Sequence, residues 1–70
     1  MVKIVGWYAP LKKKYVVAVG SQKSKTFSSS VSAKAYAIRQ STTKYQKKCW
    51  SKINLNKNIT SSNPHGCYSD

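Results

Sequence analysis

His65 and Cys67 stand one residue apart in "PHGCYSD", and an imidazole beside a thiol is the pairing that activates a cysteine nucleophile. Together with Cys49 they make three soft metal ligands, one short of the four that a closed zinc site takes. Both readings fail on the same ground. The stretch "SSNPHGCYSD" is polar, is broken by Pro64 and Gly66, and offers no scaffold to hold a site. We therefore expect no enzyme activity, no metal and no cofactor. The spacing of the two cysteines does not define a disulfide framework, and both are expected as free thiols, with Cys49 packing on a helix.

The chemistry present in quantity is positive charge. Thirteen Lys and Arg face a single acid, Asp70, which is the last of the 70 residues, so residues 1–69 carry no carboxylate side chain. That leaves no carboxylate pair for acid–base work and no oxygen cage for a divalent cation. The like charges repel one another and favour a polyanionic partner that screens them. A pI of about 10.1 is the usual footprint of a nucleic-acid-binding domain. The densest run is Lys12-Lys13-Lys14, set directly against the apolar "YVVAV".

Something must position that run. A chain of this length makes one small domain with a thin core. The β-rich segment 2–9, "VKIVGWYA", ends at Pro10, and Gly6 inside it marks a bulge or a close backbone approach. Residues 14–20, "KYVVAVG", are the best strand. Alternation sends Tyr15, Val17 and Val19 to one face and Lys14, Val16 and Ala18 to the other. "GSQKS" is a turn, and "KTFSS" at 25–29 is a third strand with Phe27 facing inward.

A helix capped by Ser30 or Ser32 follows. Val31, Ala35, Ile38, Thr42, Tyr45, Cys49 and Ile53 recur every three or four residues and form its apolar stripe. Its opposite side is basic, and Trp50 falls off the stripe. "STT" at 41–43 is poor helix and allows a break. The expected fold is α+β: a three-stranded antiparallel β-sheet packed against one C-terminal α-helix, βββα. The domain spans 1–55, and 56–70, rich in Asn and Ser, is a flexible polar tail.

The segment 14–45 resembles two DNA-binding families: the plant Apetala/ethylene-response-factor domain and the arm-site-binding N-terminal domain of phage tyrosine recombinases. The residues that carry the resemblance are Tyr15-Val16-Val17, Thr26-Phe27, the polar cap Ser28-Ser29-Ser30, and Ala33-Lys34-Ala35-Tyr36-Ala37. It implies a sheet whose open face enters the major groove of duplex DNA while the helix braces the back. On that picture Lys12, Lys13, Lys14, Lys23 and Lys25 line the groove from strand and loops, and Trp7 or Tyr8 touches sugar or base. Lys44 and Lys48 on the helix join them. The chain has one Arg where those families favour several. Lysine binds phosphate well and reads bases poorly, so contacts should be mainly to the backbone.

Three other partners fit the charge. An acidic host protein, docked by a small phage-type inhibitor, would be steered by the same field. RNA would use the same lysines and aromatics. A membrane surface fits least, because the stripe holds Thr42 and Tyr45 where an interfacial helix needs Leu and Phe. The N-terminal apolar stretch is too short and interrupted for a signal peptide. The expected location is thus the cytoplasm, as monomer or dimer.

Overall fold

The computed structural model describes residues 2–68. The chain order is β1 (Lys3–Ala9), β2 (Lys14–Val19), β3 (Lys25–Phe27), α1 (Ser30–Gln40), α2 (Lys44–Lys52) and β4 (His65–Tyr68). The strands form one antiparallel sheet in the order β3-β2-β1-β4. The α+β class and the β1–β2–β3 meander match the sequence expectation. The strand and helix counts do not: there are four strands and two helices among the described residues.

Residues directly opposite one another in the ladder share a face. The register sets Ile4 against Val19, Gly6 against Val17, Ile4 against Cys67 and Phe27 against Tyr15. This is the covered face, with α1 over β2 and β3, and α2 against β4. Tyr15, Val17, Val19 and Phe27 lie on it as the alternation predicts. The register runs unbroken through Gly6, so that glycine is not a bulge. It is a notch. A Cβ built there would sit 2.8 Å from the tip of the Trp50 indole, closer than packed atoms come.

Trp50 overturns the expected helix stripe. It is completely buried, whereas Val31 is 74 % exposed and Tyr45 62 %. The reason is the break at "STT". Ser41 ends α1, with its hydroxyl donating to Ala37 O at 2.9 Å and its N–H to Ile38 O. Thr43 then caps α2 by accepting from Gln46 N at 3.2 Å. Each helix takes its own phase. α1 buries Ala33 and Ala37, α2 buries Gln46 and Trp50, and a stripe drawn through both belongs to neither.

Gln46 is a fully buried polar side chain whose amide is completely used. Its Oε1 accepts from Thr42 N at 3.0 Å, and its Nε2 donates to Val2 O at 2.9 Å and to Cys67 O at 3.0 Å. One amide thereby joins the helix break, the N-terminal segment and β4. Buried amides are tolerated when all their hydrogen-bonding capacity is met in this way.

The expectation of a flexible tail over 56–70 is corrected by residues 56–68, which pack on the domain that ends at Leu55. Leu55, Ile59 and Cys67 are buried in the core cluster, and Ile59 O accepts from Tyr8 N at 2.6 Å on the β1 edge. Asn56 shapes the turn by accepting from Asn58 N. Ser69 and Asp70, also assigned to the tail, lie outside the described residues. The free thiols are corrected too. β4 pairs beside β1 and places Cys67 under α2, where it forms a disulfide with Cys49 across a Cα–Cα distance of 6.3 Å. Neither sulfur is left for a Cys–His dyad or a metal.

Two outcomes test this architecture. Gly6→Ala should cost about 1–3 kcal/mol, because the methyl group collides with a ring that has no room to move; the urea midpoint measures it. Reduction of Cys49–Cys67, which closes a loop of sequence separation 18, should lower stability by about 3 kcal/mol, read as the shift in melting temperature with and without dithiothreitol.

Candidate polyanion interface

The turn between β1 and β2 is built by Pro10 through Lys13. Ala9 and Lys14 are ladder partners, and Lys12 N donates to Ala9 O at 3.2 Å, closing a four-residue turn with Pro10 second. Proline suits that position because its ring presets φ near −65°. Lys13 then takes φ 54°, the only non-glycine residue with positive φ among those described. The left-handed region costs an L-residue with a Cβ about 1–2 kcal/mol, and glycine or asparagine normally fills it. Here a lysine does.

Lys14 and Trp7 share the sheet face opposite the helices. Trp7 stands across from Val16, and Lys14 across from Ala9, one step nearer the turn. Val16 keeps only 6 % of its surface although neither helix lies over it. That face carries Val5, Trp7, Val16 and Ala18 between Lys14 and Lys3; Val16 is buried, and Trp7 is half-buried and packs against the core cluster. The Lys3 ammonium sits 5.1 Å from the Tyr68 ring centroid. Tyr8 faces the other way, its ring 4.9 Å from that of Tyr15 on the helix side. Of the two aromatics read as contact residues, only Trp7 belongs to the open face.

The structure divides the predicted lysines. Lys12, Lys13, Lys14 and Trp7 come together at the β1–β2 turn. α1 starts at this same end, three residues after Phe27, whose ladder partner is Tyr15. No acid occupies its first turn, so the helix dipole adds to the positive end. Lys23 lies in the β2–β3 turn at the far end of β2. Lys25 pairs with Val17, on the helix side, with its Nζ 5.2 Å from the Tyr36 ring centroid. A recess of about 250 Å³ separates Lys25 from Arg39 there. Lys44 and Lys48 sit on α2 in the helix layer. With Lys47 they rim a shallow depression of about 350 Å³ above Ile38 and Ser51. The basic residues thus form a turn cluster and a separate helix cluster, not one continuous lip.

Two features of the turn escaped sequence reasoning. The positive φ of Lys13 has no signal in "PLKKKY", where nothing but lysine fills the position. Leu11, fully exposed at the tip, falls between the two strands read from the sequence, and its residue type gives no sign that it projects outward.

No protein family matches the chain, and neither a curated protein nor a solved structure resembles it significantly.

Lys13→Gly separates conformation from charge. Glycine relieves the left-handed backbone and leaves stability unchanged or raised by up to about 1 kcal/mol, while the loss of one cation weakens binding to any polyanion. Chemical denaturation and a binding titration on the same variant read the two effects.

Proposed function

We propose that the protein binds duplex DNA through the β1–β2 hairpin, chiefly by lysine contacts to phosphates. The observation that carries this reading is the triple-lysine turn. Three adjacent cations are held on a defined backbone, one of them at a φ that costs stability, and no carboxylate side chain in residues 1–69 neutralises them. Local violations of backbone preference concentrate at working sites. Trp7 lies next to Lys14 on the open face, where an indole can rest on sugar or base. The open face is apolar and the sole arginine is elsewhere, so base-edge hydrogen bonding contributes little and sequence preference is modest.

A second reading is supported by a different observation. The strip Val5, Trp7 and Ala18 between Lys3 and Lys14 has the make-up of a protein-docking surface, apolar at its centre and charged at its rim. An acidic protein would fit it.

Salt separates the two. If about five phosphates are engaged, the logarithm of the DNA association constant should fall with the logarithm of salt concentration at a slope of about −4 to −5. Replacing Lys12, Lys13 and Lys14 together by alanine should bring the slope to about −2. Fluorescence anisotropy on a mixed-sequence duplex, with single-stranded DNA and duplex RNA as competitors, measures both. Absence of duplex binding at low salt, with a stoichiometric protein partner recovered after nuclease treatment, would establish the second reading instead.

A further inference from the structure

Leu11 is 100 % exposed at the tip of the β1–β2 turn. It follows Pro10 and precedes Lys12, Lys13 and Lys14. Single exposed apolar residues are ordinary on protein surfaces. This one differs in its setting. It buries nothing, so the fold gains nothing from it. Its backbone is fixed on both sides, by the Lys12 N to Ala9 O bond and by the Ala9–Lys14 pairing. The residue that completes the turn, Lys13, sits in a conformation glycine would adopt at lower cost. The turn therefore presents one leucine outward with cations immediately behind it.

We propose that Leu11, backed by Pro10, is a wedge that enters the minor groove and partly unstacks one base step, bending the duplex. This inference rests on the duplex-DNA reading above and specifies how the hairpin engages the helix. Proteins that kink DNA insert apolar side chains, leucine and proline among them, between base pairs from the minor groove. The groove is about 6 Å wide, which suits a narrow hairpin tip rather than a helix. Lys12, Lys13 and Lys14 follow the leucine closely enough to reach the phosphates that border the groove. Their charge holds the tip against those phosphates while the inserted side chain kinks the duplex away from it, toward the major groove. Insertion into an anionic membrane is the weaker use of the same tip. One leucine falls far short of the apolar area that an interfacial anchor buries.

A wedge has a signature that phosphate binding lacks. It prefers DNA that is already easy to unstack, because the cost of opening the step has been removed. The full-length protein should bind a duplex carrying a central nick or two-base bulge about tenfold or more tighter than the same intact duplex, and end-labelled duplex should show a bend by energy transfer on binding. Leu11→Ser should abolish the bend and the preference while leaving the salt slope and the melting temperature unchanged, since the side chain touches nothing in the fold. Leu11→Phe should restore both signatures. Duplex binding without a bend, or a bend that survives Leu11→Ser, overturns the wedge and leaves the phosphate-binding reading standing. Failure to bind any duplex at low salt removes both. Leu11-dependent retention on vesicles containing phosphatidylserine, without a bend on DNA, would assign the tip to a membrane and overturn the wedge.

Discussion

The contact of the Trp50 indole with the backbone of Gly6 is the constraint around which the other elements are arranged. The tip of the ring comes closer to β1 than a Cβ would allow, and β1 lacks a side chain at that one position. This fixes where α2 crosses the sheet. It also sets the phase of the helix, so that Gln46, one turn earlier, falls beneath Val2 and Cys67. The indole N–H has no hydrogen-bond partner among the described residues. An unmet buried donor costs about 1–3 kcal/mol, and it is retained because the ring fills the notch. In a chain of this size, with a thin core, a single aromatic of this volume supplies a large share of the buried apolar area.

What was legible in the sequence was local. The alternation in "KYVVAVG" placed Val17 and Val19 on the covered face, and Phe27 followed them. The "STT" stretch allows a break, although the sequence predicts one continuous helix, and the break is real. The consequences of that break were less visible, because a periodic stripe can be drawn through two helices as easily as through one. Val31 and Tyr45 fit the period yet are exposed. Gln46 and Trp50 were passed over, the first because a glutamine does not announce a core position, the second because it fell off a line that did not exist. β4 was missed for another reason. "HGCY" is short and sits among Asn, Ser and Pro, and nothing local shows that the free edge of β1 awaits a partner. The disulfide followed from that omission, since Cys67 approaches Cys49 only when β4 is in place.

The candidate site was legible as composition and not as geometry. Lysine excess without acids is evident from the sequence, and Lys12-Lys13-Lys14 stood out within it. Which lysines act together depends on strand direction and on helix layering. These send Lys23 to the opposite end of the sheet, Lys25 to the side of Tyr36, and Lys44 and Lys48 to the outer layer. The aromatics divided in the same way, Trp7 with the turn and Tyr8 with Tyr15.

The absence of carboxylate side chains through residue 69 reaches beyond binding. Acid unfolds most proteins by protonating carboxylates that are paired or hydrogen-bonded in the native state. This domain has no such side chains in residues 2–68. Its stability curve is therefore nearly flat on the acid side. The variable that governs compactness is the concentration and valence of the surrounding anions, so a phosphate- or sulfate-rich medium should tighten the free domain by screening its lysines.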